Sequence, residues 1–595
     1  MLNKADETVF TPYGPVVGRK LIAANGVEHP KPVESWVDLA QNASSPYRGY
    51  CLQKDILTVI GSENCLHISI FTPNHNDSEM LPVFVWIHNH HSSGGISEAS
   101  PETGYRDNIA ARGVVAVTFN FRLGVMALNE SINLGFRDQQ IALQWVQDNI
   151  AYFGGNRHQV TLAASGSGAE FVLNHMKDKS SRGLFSAAIL QSGQYARDRF
   201  MSCKAISILK SRISCYQEDL QCLNRKSSND LVTQSQDLNF VPCNSHFKMK
   251  DPIVNKVPVI MGVNMHESAS DEIFRIIYKK DEIANFNQND FILKLNATAE
   301  ALSTDGAEAL KHTRNLLITT YMTELEPLET WFDRYIKMAT EANFLGPLLE
   351  VITLLREVKV YAYIFQHISE AEMIGLPWRG VIHGTELQYL FAHPGFSIRT
   401  DLHFIPTTRD LTMVNTLGAL WANFVKYGNP TPNSTGLVWQ PVDSGANMRN
   451  GDFNYITLTT SPRSYRKLST KTATVWLDEL PNYASKTTVL SPAIYITVSY
   501  VSSAMESSSR VMDTSMDMIA DMLTYIANDS IDERKQNLVI QEQSRLLEEK
   551  PSVRQKCGGL DIGEASVMPN KDRQLQRRKK KDVETNIKRQ KSMLF

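Results

Sequence analysis

Residues 160–175 read Val-Thr-Leu-Ala-Ala-Ser-Gly-Ser-Gly-Ala-Glu-Phe-Val-Leu-Asn-His, and the reading of the fold follows from them. A short apolar strand, Gln159 to Ala163, runs into a turn of residues without bulk and then into an apolar-periodic helix. This is the strand-turn-helix context in which a strained turn lifts one side chain out at the top of a sheet, in the pattern Gly-x-Ser-x-Gly. Here the frame is Ala164-Ser165-Gly166-Ser167-Gly168. Gly166 holds the nucleophile position and has no side chain with which to attack.

Outward from that turn, Pro82 to His88 and Val114 to Phe121 are near-continuous apolar runs, as in strands buried on both faces of a parallel sheet. Phe136 to Phe153 carries Ile141, Leu143, Trp145, Val146 and Ile150 on a helical pattern and stops at Gly154-Gly155. Residues 9–22 read as an antiparallel hairpin and Leu66 to Phe71 as a strand, with further buried strands at Ser186–Gln191, Val257–Val263 and Val358–Phe365. Strand and helix alternate, so the expected class is α/β, a mostly parallel sheet with helices on both faces.

Composition narrows the function. With 595 residues, 42% hydrophobic and 21% charged, and a formal net charge of -2, the chain has no overall field to attract nucleic acid or anionic membrane. No run of about 20 apolar residues occurs; Val489 to Ala504 is interrupted by Pro492, Thr497, Ser499, Ser502 and Ser503 and reads as strand or loop. The start, Met-Leu-Asn-Lys-Ala-Asp-Glu, lacks the basic and apolar regions of a secretory leader, which taken alone says cytosol. Other features point the opposite way. Cys51 with Cys65 and Cys215 with Cys222 sit at spacings able to close small loops, and Asn42, Asn76, Asn129, Asn296, Asn433 and Asn528 are glycosylation acceptors by sequence. His88, His90 and His91 are spaced closely enough for zinc, but a histidine cluster filling a loop is the simpler reading, and neither metal nor cofactor is expected.

The ordered blocks Ser62-Glu63-Asn64-Cys65-Leu66, Asn120-Phe121-Arg122-Leu123-Gly124-Val125, Asp138-Gln139, Trp145 to Ala151, Gln191-Ser192-Gly193, Gly262-Val263-Asn264 and His383-Gly384-Thr385-Glu386-Leu387 carry a resemblance. The chain resembles the type-B carboxylesterase/cholinesterase family over roughly residues 8 to 480. The resemblance implies the α/β-hydrolase fold as one large domain at 8–482, followed by a polar, largely disordered tail at 483–595. The tail ends in a basic run, Arg577-Arg578-Lys579-Lys580-Lys581. Enzymes of the family use a serine nucleophile, a histidine base and an orienting glutamate. Residue by residue, the resemblance places Glu267 at the acid, His383 at the base and Gly166 at the nucleophile. The family's His-Gly-Gly-Gly oxyanion loop is here His88-Asn89-His90-His91. Each oxyanion donor contributes roughly 3 to 4 kcal/mol, so Asn89, His90 and His91 mark a second departure.

Loss of a nucleophilic serine costs about a millionfold in turnover, which reduces a typical rate of about 10 per second to about one event per day. The expectation from sequence is therefore no enzyme. The chain reads as a non-catalytic adhesion or recognition module, extracellular or at the cell surface, similar to neuroligins and gliotactin and binding protein partners. The alternative is a carboxylic-ester hydrolase whose nucleophile has moved to Ser165 or Ser167. The resemblance also implies disulfides Cys51–Cys65 and Cys215–Cys222, and a homodimer through Thr412 to Lys426 and the domain's last helix, Ala473 to Leu480. Nucleic acid is not expected as a partner.

Overall fold

A computed structural model of the chain describes residues 8–11, 14–18, 20–22, 41–43 and most of 49–480. Within the last span, 55–57, 74–79, 89–103, 128–132, 194, 196–201, 216–220, 236–237, 239–250, 304–305, 371–374, 392–405 and 434–435 lie outside the described residues. So does everything from 481 onward, including the polar tail expected at 483–595, its basic end and Val489–Ala504.

The strands in chain order are β1 (Thr8–Thr11), β2 (Gly14–Gly18), β3 (Lys20–Ile22), β4 (Gln41–Ala43), β5 (Gln53–Lys54), β6 (Val59–Ile60), β7 (His67–Phe71) and β8 (Leu81–Ile87). They continue as β9 (Val115–Phe119), β10 (Gly155–Ser165), β11 (Ala187–Gln191), β12 (Val259–Asn264), β13 (Val360–Phe365), β14 (Asp452–Leu458) and β15 (Arg463–Lys467). Ten of them form one sheet in the order β15-β14-β13-β12-β11-β10-β8-β9-β7-β3. From β14 to β9 every neighbouring pair is parallel, and antiparallel partners occur only toward the edges, at β15, β7 and β3. The hairpin expected at residues 9–22 is β1 against β2, in antiparallel register Thr8 to Val17.

Alternation along the central strands explains why both faces are covered. In β8, Val83, Val85 and Ile87 join one buried cluster while Phe84 and Trp86 join another on the opposite side. In β10, Val160, Leu162 and Ala164 face the first cluster and Ala163 the second. A strand apolar on both sides is stable only when helices cover both sides, and helix α1 (Leu134–Asn149) provides Leu143 and Val146 to the first cluster. Asn133 caps α1 by accepting a hydrogen bond from Phe136 N at 3.0 Å.

One buried ion pair locks α1 to the chain leaving β9. The Arg122 guanidinium donates through Nε at 2.8 Å and a terminal nitrogen at 2.7 Å to the two oxygens of Asp138, and Arg122 N also donates to Asp138 at 3.0 Å. Both side chains are almost wholly buried. Replacing Asp138 with Asn leaves a buried guanidinium without its counter-charge, a loss of about 3–5 kcal/mol. Urea unfolding of Asp138→Asn is therefore expected to show a drop of that size; a change under about 1 kcal/mol would contradict the assignment.

Candidate active site

The site is built where β10 gives way to helix α2 (Ser167–Lys177). β10 lies between β8 and β11, so its carboxyl end is central in the sheet. Between them stands Gly166 with φ 56 and ψ -128, a backbone conformation that L side chains adopt only under strain. Gly166 N donates to Gln191 O at 2.9 Å, and its carbonyl receives Ala169 N at 3.1 Å, which opens the helix. Gly168 then lets α2 press against the end of β8, since a Cβ there would lie 2.9 Å from Ile87 O and 3.2 Å from His88 O. The turn is thus an assembled nucleophile elbow whose tip is a hydrogen atom.

The acid and base are brought together from distant segments. β12 ends at Asn264, and Glu267 begins the turn that follows. His383 precedes the short helix α3 (Thr385–Leu390). His383 Nδ1 and Glu267 Oε2 are 2.7 Å apart; the carboxylate accepts, so the ring keeps its other nitrogen, Nε2, as the basic one. The second carboxylate oxygen of Glu267 receives Asn264 N at 2.6 Å. Glu267 is fully buried, whereas 19% of the His383 side chain is exposed. Burial pulls the His383 pKa down, but the Glu267 charge and hydrogen bond, with the charges of Glu386 and Asp271, outweigh it and raise the value. The two segments are also tied by their backbones, His266 N to Val381 O at 3.0 Å and Val381 N to His266 Nδ1 at 3.1 Å. Burial pushes the His266 ring down to about 4, which keeps it a neutral acceptor.

Glu386 joins these parts and was not singled out from sequence. It is fully buried, accepts from Ser165 Oγ and Gln191 Nε2, each at 3.2 Å, through one oxygen, and from Asn264 Nδ2 at 2.6 Å through the other. Asn264 Nδ2 also donates to Ile382 O, and Gln191 Oε1 accepts from Trp421 Nε1 at 3.0 Å. Burial first, and then the charge of Glu267, raise the Glu386 pKa. The elbow, the acid and the base are therefore linked through one buried carboxyl. The available signal was a glutamate three residues after His383 in a helix otherwise set with Leu387, Tyr389 and Leu390. A charge on an apolar helix implies a buried partner.

Other expectations are placed as follows. His88 is buried and stacks on Phe121 at 4.3 Å, but Asn89, His90 and His91 lie outside the described residues. The disulfides Cys51–Cys65 and Cys215–Cys222 are present. Asn433 is exposed in a loop and Asn296 is half-buried on a helix; Asn42 lies on β4, and Asn76, Asn129 and Asn528 lie outside the described residues. Helix α4 (Thr408–Tyr427) contains the stretch Thr412 to Lys426, and its Leu417, Leu420, Trp421, Phe424 and Val425 are buried within this chain, while Leu411 and Tyr427 are exposed. No described helix is long and apolar enough to cross a membrane.

A mostly parallel sheet with helices on both faces, a nucleophile elbow after a central strand, and a His–Glu pair carried on loops following later strands define an α/β-hydrolase fold. Residues 27–476 match the carboxylesterase family, and the chain belongs to it. It is 30% identical to a pyrethroid hydrolase of Mus musculus over 76% of this chain and 84% of that protein. An acylcarnitine hydrolase of Mus musculus and a cocaine esterase of Oryctolagus cuniculus are each 28% identical, over 76% of this chain and 83% and 88% of their own lengths.

These relatives overturn the reading of a non-catalytic adhesion module and of no enzyme: they are named hydrolases, and nothing among them indicates a neuroligin- or gliotactin-like branch. The physical reason is that Gly166 removes one oxygen but leaves the His383–Glu267 pair assembled. The loss of a side chain at one position does not by itself retire a base that can act on another oxygen.

The raised proton affinity of His383 has a sign that can be checked. Because its folded-state pKa exceeds that of an unfolded histidine, the pair stabilises the fold fully below about 6.5, and this contribution fades as pH rises through the folded value. An NMR titration is expected to place His383 above the ordinary imidazole midpoint, and Glu267→Gln to lower it, since burial is then opposed only by the charges of Glu386 and Asp271. A midpoint unchanged by Glu267→Gln would refute the pairing.

Proposed function

We propose that this chain hydrolyses carboxylic esters, with His383 as general base and Glu267 as the group that orients it and balances its charge. The observation that carries the reading is the 2.7 Å contact between His383 Nδ1 and Glu267 Oε2 beside the elbow, in a chain whose relatives are named as hydrolases. His383 draws a proton from the attacking oxygen through Nε2 and returns it to the leaving alcohol. Glu267 holds the ring's tautomer and stabilises the imidazolium that forms in between. Glu386, through Asn264, is a positioning residue for Glu267.

Of the two displaced serines weighed from sequence, Ser165 fits poorly, because its hydroxyl is fully buried and donates to Glu386. The two disulfides support folding in an oxidising compartment, lumenal or extracellular, since such bonds persist there and are reduced in cytosol. Protein isolated with thiols blocked at harvest is expected to carry Cys51, Cys65, Cys215 and Cys222 unalkylated; alkylation of all four would contradict this placement.

The hydrolase reading is tested with the purified full chain and a short-chain p-nitrophenyl ester. Cleavage above the protein-free rate is expected, rising with pH to a plateau as His383 loses its proton. His383→Ala is expected to lower it by about 10²–10⁴-fold, the usual contribution of a positioned base. Cleavage equal in the two proteins would overturn the proposal.

A further inference from the structure

Resting on the hydrolase reading, we propose that the oxygen attacking the ester belongs to a water molecule placed over Gly166, so that hydrolysis is a single displacement with no acyl-enzyme. The elbow supplies the first argument. At φ 56 and ψ -128, residue 166 is the one whose outward direction a nucleophile elbow aims at the base, and here that direction carries only hydrogen.

The flanking hydroxyls supply the second. Ser165 is the last residue of β10, and its Oγ is turned to Glu386 at 3.2 Å in the interior. Ser167 is the first residue of α2 and half-buried, one position beyond the tip of the turn that Gly166 holds.

Solvent also reaches the base. His383 uses Nδ1 for Glu267 and keeps 19% of its side chain exposed, so solvent reaches the ring whose Nε2 is the remaining base. A water molecule occupies about 30 Å³, close to the volume of the hydroxymethyl group that a serine at 166 would place there.

The step balances with groups already named. The water oxygen bonds to the acyl carbon while its proton passes to His383 Nε2, and the carbonyl electron pair moves onto oxygen. Collapse of that tetrahedral species breaks the bond from acyl carbon to ester oxygen, and the proton on Nε2 passes to the departing alkoxide. Acid and alcohol leave, His383 is neutral again, and nothing is oxidised or reduced.

The test uses the full chain, a short-chain p-nitrophenyl ester and a fluorophosphonate probe, with folding of each variant checked by circular dichroism. Wild type and Ser167→Ala are expected to turn over without an initial burst and without labelling. Gly166→Ser is expected to gain labelling at position 166, a burst of one p-nitrophenol per chain, and at least about a hundredfold in turnover. Gly166→Ala, whose methyl group takes the water's place, is expected to lose turnover and remain unlabelled. Labelling of wild type at Ser165 or Ser167, or loss of turnover in Ser167→Ala, would overturn the water mechanism and leave the hydrolase reading standing. A folded Gly166→Ser with neither label nor burst would also overturn it. Wild-type turnover no greater than that of His383→Ala would remove both.

Discussion

The hydrogen bond between His383 and Glu267 is the interaction on which the rest depends. Its partners are 116 residues apart in sequence, and each stands on a loop that leaves the carboxyl end of the sheet or follows it. A buried carboxylate is costly unless its oxygens are satisfied. Here one oxygen takes the imidazole and the other takes Asn264 N, the last residue of β12. The ring in turn is kept half-buried against Phe344 and retains a higher proton affinity than its surroundings alone would allow. The sheet positions the pair, and the pair gives the sheet's carboxyl edge its chemistry.

Glu386 shows how the arrangement is reinforced. A second carboxyl close to Glu267 would repel it if both were charged, and burial together with that repulsion raises the pKa of Glu386. Its donors come from three strands of the sheet: Ser165 at the end of β10, Gln191 at the end of β11 and Asn264 at the end of β12. The ends of three adjacent parallel strands are thereby drawn to one point. Trp421 on α4 completes the set through Gln191, so a helix whose apolar stripe packs into this chain's core also holds the polar floor of the site.

Much of this was legible in the sequence, for identifiable reasons. The apolar runs Pro82–His88 and Val114–Phe121 became β8 and β9 because short runs rich in β-branched and aromatic residues suit a strand covered on both faces. The elbow was legible because the small residues 164–168 permit little else, and the acid and base because their neighbours matched a family pattern. β14 and β15 were not anticipated: Arg463–Lys467 is an exposed edge strand of polar residues, and Asp452–Leu458 shows its alternation only once its partner β13 is known. Glu386 escaped because a charged residue at helical spacing looks like surface until the partners from three strands converge on it. The functional inference went astray for a different reason. Gly166 by itself points to loss of catalysis, whereas the structure keeps His383 and Glu267 in hydrogen-bond contact.

The most direct test of this account joins the pair to the chemistry. In one preparation, the pH midpoint for ester cleavage is compared with the NMR titration midpoint of His383. The account predicts that the two coincide, above the ordinary imidazole value, and move downward together in Glu267→Gln. Cleavage whose pH dependence is unrelated to the titration of His383 would contradict it.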